Sequence, residues 1–284
     1  VSVLEQVAVA WQALLRTLAA LTERRLWGPW LVLGAAQAAT LALLVLFAHP
    51  WLSWAMAPLV RWAAGEAALH YPGLMLALPG LYARADMLVG GTLGAVMVGA
   101  GTVLFASRFR GFAPAGGEAF ARAGRCAVTL VLAQLPYNLL VAALGFGVEV
   151  LLGQGAQRGL AQKLVFLGVL GGTVILQSLF LYVAALVVLE RRGALEALRA
   201  LPRAWARGFW AALFLGALLL VPLLPLQMLL DQAQRLVERG DPDLVAWVVG
   251  LQALVGLVAW TVLVGSATLV YLSLVAERLE EAAT

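Results

Sequence analysis

Residues 27–48 read WGPWLVLGAAQAATLALLVLFA, a run without one charged side chain. An α-helix advances 1.5 Å per residue, so about 20 apolar residues cross the roughly 30 Å hydrocarbon layer of a bilayer. Five more uncharged runs are long enough to do the same: Met87–Ala106, Cys126–Val148, Leu164–Leu189, Phe209–Leu230 and Leu244–Ala276. The last exceeds what a crossing requires, so it tilts or emerges as a helical stem. The composition agrees. At 12% charged and 63% hydrophobic residues, with a mean hydropathy of +0.94, the chain carries about half the charge of a soluble domain. Such a chain leaves no wettable exterior for a globule in water. The expected class is an all-α integral membrane protein with six transmembrane helices and no nucleic-acid partner, its net charge of +4 arising from arginines beside apolar runs.

Those arginines also orient it. Arg16, Arg24 and Arg25 precede the first run; Arg108, Arg110, Arg122 and Arg125 lie between the second and third; Arg191, Arg192, Arg199, Arg203 and Arg207 lie between the fourth and fifth. With Arg278, one side holds 13 of the 19 basic residues. Positive-inside bias predicts both termini in the cytoplasm of a bacterial inner membrane, and an even number of spans requires the termini to share a side. The bacterial source is read from the marked excess of arginine over lysine. Trp27, Trp30, Trp51, Trp54, Trp205, Trp210 and Trp247 flank the runs, as an aromatic belt would. The first apolar run begins only at Trp27, after Glu5, Glu23 and three arginines, which is not the pattern of a cleaved leader.

Residues 1–26 read instead as an interfacial amphipathic helix. Leu4, Val7, Trp11, Leu14, Leu15, Leu18 and Leu21 recur at helical spacing, with Glu5, Gln6, Gln12, Arg16 and Thr17 elsewhere. Comparable stretches, Ala119-Phe-Ala-Arg122 and Ala204-Trp-Ala-Arg207, precede the third and fifth spans. The single membrane domain, 1–284, then reads as three hairpin units (1–106, 107–189 and 190–276), each introduced by a cytoplasmic amphipathic helix. Shared lipid-driven composition would produce the same likeness. Headgroup contact with anionic lipid is expected of Arg24, Arg25, Arg108, Arg110, Arg199, Arg203 and Arg207.

The stretch Val187-Val-Leu-Glu190-Arg-Arg-Gly-Ala-Leu-Glu-Ala-Leu-Arg199, followed by Arg203-Ala-Trp-Ala-Arg207-Gly-Phe-Trp210, resembles the six-span membrane domains attached to some bacterial glycerophosphodiester phosphodiesterases and their stand-alone relatives. In that group a span exits into an acidic-glycine turn, and an amphipathic helix carries a basic-aromatic signature to the next span. The resemblance implies architecture only, because no carboxylate set for a phosphodiesterase barrel is visible.

Residues 49–85 are the unusual connection, apolar yet punctuated by Pro50, Pro58, Pro72 and Pro79. They read either as two short helices lying on the periplasmic face or as a re-entrant hairpin in which His70, Tyr71 and Asp86 line a pathway. Gln134, Tyr137 and Asn138 around Pro136 form a second candidate cavity cluster; the alternative is interhelical hydrogen bonding. Asp86, Glu149, Glu190 and Asp231 are expected at span ends, within reach of water, and Gly90, Gly94, Gly99, Gly168 and Gly172 in close helix packing. No catalytic motif is present, two histidines make no metal site, one cysteine permits no disulfide within the chain, and no cofactor is expected. The leading expectation is a non-enzymatic scaffold, accessory or assembly subunit, or lipid-interacting protein, with the bilayer and other membrane subunits as partners. The alternative is a permease or channel subunit. An enzyme acting on lipid would have only His70, Tyr71 and Asp86 to work with.

Overall fold

The computed structural model describes residues 2–153, 160–230, 232–239 and 241–276, so Arg158, Asp231 and Arg278 lie outside the described residues. Among the described residues there are only helices and the turns between them. They comprise α1 (Val3–Ala20), α2 (Gly28–Val45), α3 (Pro50–Ala64), α4 (Gly73–Val89), α5 (Ala95–Phe109), α6 (Gly116–Arg125), α7 (Ala127–Gly153), α8 (Leu160–Phe180), α9 (Val183–Val188), α10 (Ala194–Leu220), α11 (Leu224–Leu230), α12 (Ala233–Arg239) and α13 (Asp243–Val270). Six helical stretches are long and apolar enough to cross a membrane: Arg24–Val45, Gly73–Phe109, Ala127–Gly145, Leu167–Val188, Ala194–Leu220 and Asp243–Leu274. The chain is an all-α membrane protein with six transmembrane helices.

Two spans begin well before the expected runs. The second starts at Gly73, because α4 passes through a π-helical turn at Gly90–Gly94 directly into α5. Its 37 residues amount to about 55 Å of helix, more than a bilayer's hydrocarbon requires. The latter half of the 49–85 connection is therefore the start of this helix. The fifth span starts at Ala194, so the arginine-bearing stretch before Phe209 and the apolar run form one rod, α10. That rod ends at Leu220, where Pro222 withholds the amide the next turn would need.

The chain divides into two compact units. The first comprises residues 1–29, 95–218 and 261–284. Its α1 opens with a capping box: the Glu5 amide donates to Ser2 Oγ at 3.2 Å, and the Ser2 amide to Glu5 Oε2 at 2.7 Å. The face of α1 that packs on protein is small and polar (Gln6, Ala10, Ala13, Leu14, Thr17, Ala20), whereas Leu4, Trp11, Leu15 and Leu18 point outward. A water-soluble helix would be turned the other way. In lipid the preference inverts, because small residues let backbones approach and apolar side chains meet acyl chains. Trp11 still meets Phe214 edge-on at 6.4 Å, and Gln6 Oε1 accepts from the Trp210 amide at 3.1 Å.

The second unit comprises residues 30–94 and 219–260. A Cβ on Gly34 would fall 2.7 Å from Leu257 Cδ2, and one on Gly250 would fall 3.4 Å from Leu41 Cδ2. Those two close approaches set α2 antiparallel to α13 in a fixed register. Leu44, Phe47, Val60, Leu74, Met75, Leu78, Val245 and Val249 form the unit's apolar core. The α3–α4 hairpin is held on that core by Val60 and the α4 leucines. Its other side exposes Trp51, Trp54 and Trp62, each about four-fifths accessible or more at 79%, 83% and 87%. With Pro58 they fall at spacings of three and four, one stripe of α3. Gly65, at φ 82°, closes α3 in a conformation that side chains resist.

Candidate functional site

The first unit carries a cleft of about 780 Å³ lined by Arg122 and Arg125 of α6, Cys126 and Thr129 at the start of α7, Ser107 of α5, and Arg191 and Arg192 of the α9–α10 turn. Spans end nearby at Phe109, Ala127 and Val188. Three spans stopping together mark the depth at which hydrocarbon gives way to headgroups. One guanidinium is neutralised. Arg192 Nε lies 2.5 Å from Glu190 Oε2, and Tyr271 donates its hydroxyl to Glu190 Oε1. Arg122 donates to the Leu189 carbonyl at 3.5 Å, tying α6 to the end of α9. The guanidiniums of Arg125 and Arg191 have no ion-pair or hydrogen-bond partner among the described residues. Arg191 is the sole non-glycine residue at positive φ, 58°, among the described residues. Such a backbone costs about 1–3 kcal/mol and persists where the surroundings enforce it. Glu118 supplies the one acidic side chain on the lining.

Beneath this turn the packing is tight and specific. Tyr182, fully buried, donates to the Gly208 carbonyl at 2.8 Å and meets the Tyr271 ring at 6.0 Å, the two planes tilted by 42°. Trp205 Nε1 donates to the Leu179 carbonyl at 2.6 Å. The α9–α10 turn is thereby fixed from below.

A second arrangement lies in the other unit. Gln37 Nε2 donates to Asp86 Oδ1 at 2.8 Å, and Gln252 Nε2 to Gln227 Oε1 at 3.0 Å. Gln37 is midway along α2, so Asp86 sits inside the second span and not at its end as the sequence reading placed it. The α2–α13 register puts Gln252 opposite Ala39, within about 3 Å of the depth of Gln37. The two amide-containing pairs therefore form one polar layer. One turn before Asp86, the Tyr82 hydroxyl is buried without a hydrogen-bond partner among the described residues.

Other expected residues are distributed as follows. His70 and Tyr71 are exposed, and the Tyr71 phenol is pushed above its ordinary range by desolvation and then by the carboxylates of Asp243 and Asp241. Thirteen helical residues, about 20 Å, separate Gly73 from Asp86. The trio His70, Tyr71 and Asp86 is thus not brought together. Gln134, Tyr137 and Asn138 share a half-buried stripe of α7; Tyr137 meets Phe180 at 5.9 Å, and neither amide has a side-chain hydrogen bond among the described residues. Arg24, Arg25 and Arg108 share a cleft of about 600 Å³ in which Arg108 pairs with Glu23. Arg110 is exposed beyond it. Arg199 and Arg203 are exposed at helical spacing on α10, and Arg207 is half-buried, its Nη1 without a hydrogen-bond partner among the described residues.

In the sequence Arg122, Arg125, Arg191 and Arg192 bear on topology alone, and nothing there joins them as a set. Their only legible signal was the alternation of arginine with small residues at two span ends. Among the described residues, no group of three or more His, Cys, Asp or Glu is placed to hold a metal ion. No protein-family model matches the chain, and no curated protein or solved structure is significantly similar to it.

Proposed function

We propose that this chain is a non-enzymatic multi-pass protein of a bacterial inner membrane, with both termini cytoplasmic, that serves as a scaffold or accessory subunit and engages anionic lipid headgroups through its arginine-bearing helices. The observation that carries this reading is α10. Its first half presents Arg199 and Arg203 outward, four residues apart, and runs unbroken into an apolar span. A basic stripe fixed at the mouth of a span attracts anionic lipid at about 1 kcal/mol per arginine. The outward leucines of α1 and the exposed arginines beside Phe112 support the same reading. The likeness of residues 187–210 to the phosphodiesterase-associated membrane domains belongs to it as architecture.

Reconstitution of the full chain into nanodiscs of mixed phosphatidylcholine and phosphatidylglycerol tests it. Native mass spectrometry should find phosphatidylglycerol enriched among retained lipids, and R199Q/R203Q should lower that enrichment by roughly 25-fold, about fivefold per charge. Equal retention of the two lipids by the unaltered protein overturns the reading.

The Asp86–Gln37 layer favours a second reading, a permease or channel subunit, since a carboxylate at mid-span is costly to keep without a role. Single cysteines placed through residues 66–86 in a Cys126→Ser background distinguish the two. A passive layer predicts labelling that stops near Gly73. Labelling that reappears at Asp86 from the outer face supports a water pathway.

A further inference from the structure

We propose that the cleft between α5, α6, α7 and the α9–α10 turn is a specific binding site for a phosphate group, with a phosphomonoester lipid headgroup as its occupant; this rests on the reading that the arginine-bearing face meets lipid. The guanidiniums of Arg122, Arg125 and Arg191 line it. Guanidinium is the side chain whose planar fork matches a phosphate's oxygens in pairs. Arg192 is committed to Glu190, and Arg122 is partly held by the Leu189 carbonyl, which leaves Arg125 and Arg191 as the unengaged donors. The Ser107 hydroxyl already donates to Val103 O at 3.0 Å, so Thr129 is the hydroxyl free to donate.

Charge decides what enters. Three guanidiniums outside the Glu190 pair face one lining carboxylate, Glu118, so an anion is attracted and a zwitterionic headgroup gains less. A phosphomonoester, with more than one negative charge near neutral pH, offsets more of that field than a singly charged phosphodiester. Depth decides the source: the cleft opens where three spans end, and a lipid phosphate lies at that level. The volume, about 780 Å³, is within the range of small-molecule sites. Arg191 adds an independent mark. Its left-handed backbone turns the chain between α9 and α10, a place where glycine would be at ease, yet an arginine stands there and lines the cleft.

Cys126 provides an internal reporter, because it is half-buried, lines the cleft and is the chain's only cysteine. In nanodiscs containing phosphatidate, alkylation of Cys126 by N-ethylmaleimide should be slowed at least tenfold relative to phosphatidylcholine alone, and phosphatidylglycerol should slow it less. Arg191→Gly with Arg125→Gln should abolish the protection. The glycine relieves the positive φ, so Arg191→Gly alone should leave the melting temperature unchanged or raised. That separates loss of binding from loss of folding. The α10 variant R199Q/R203Q should lose general enrichment of anionic lipid but keep the Cys126 protection. Protection of detergent-solubilised protein by millimolar inorganic phosphate alone would assign the site to a soluble phosphate ester and overturn the lipid as occupant. Equal slowing by all lipids, or protection that survives in the cleft variant, overturns the site while leaving general headgroup attraction standing. If the unaltered protein shows no preference for anionic lipid by either readout, both readings fall.

Discussion

Replacing Gly265 by leucine is expected to push α1 off the bundle and to cost at least about 3 kcal/mol, the upper end of what overpacking a tight interface does. A Cβ at this position would lie 2.4 Å from Thr17 Cγ2 and 2.9 Å from Phe105 Cε1. Neither neighbour can yield easily. Thr17 is fully buried on the inward face of α1, and Phe105 is fully buried and stacked on Phe109 at 5.9 Å. The alternative to the clash is separation, which would expose Gln6, Thr17 and the alanines of α1 to acyl chains. Thermal unfolding followed by size-exclusion chromatography, with protease sensitivity of residues 1–26 as a second readout, checks this. Gly168→Leu is the matched control: it sits on the outside of α8 and a Cβ there meets nothing within 4 Å. It should leave stability unchanged. A Gly265→Leu protein that melts like the parent would show that α1 is not seated where Thr17 touches Gly265.

The same pair of glycines shows what the sequence could and could not convey. Gly99 and Gly172 are close-approach positions as expected, with Leu130 Cδ1 at 2.6 Å and Leu144 Cδ1 at 3.0 Å from their would-be Cβ atoms, whereas Gly90 and Gly168 have open space. Gly265, the tightest of these, carried no special spacing. A small residue in a span announces only that contact is allowed; which partner fills the gap is tertiary information. Hydropathy and uncharged length were enough for six spans, because lipid imposes those requirements locally. They misjudged boundaries where the helix begins ahead of the uncharged run, with a basic stretch at Ala194 and a proline-containing one at Gly73, since backbone hydrogen bonding does not stop where hydrocarbon does.

The candidate sites divide in the same way. Arg24, Arg25 and Arg108 stand together in the sequence reading as basic residues flanking span ends, and the structure brings them onto one cleft. The Arg122, Arg125, Arg191 and Arg192 set was not legible there, for it needs α6 and the α9–α10 turn, 60-odd residues apart, to meet. Asp86 was misplaced for a related reason. Counted against an apolar run beginning at Met87 it looks terminal; set against Gln37, in the middle of another helix, it is internal.

That pairing yields the second large effect. Asp86→Leu should destabilise the protein by about 1–3 kcal/mol, because the Gln37 carboxamide is then left in the span without its acceptor. Gln37→Leu should cost as much or more, since the group stranded is a carboxyl. Combining the two should restore stability to within about 1 kcal/mol of the parent, as replacing both members of a buried polar pair by apolar groups removes the penalty along with the bond. Asp86→Asn, which keeps an acceptor at the same place, should cost less than about 1 kcal/mol. Thermal melts of the four proteins in one detergent close the cycle. Additive losses in the double variant would mean that Gln37 and Asp86 are not coupled and that the polar layer is not formed as a unit. Asp86→Asn also separates the functional readings, because it preserves the fold while removing a titratable group. A layer that only joins helices tolerates it in every assay. A layer that passes protons or cations keeps its melting temperature and loses its flux.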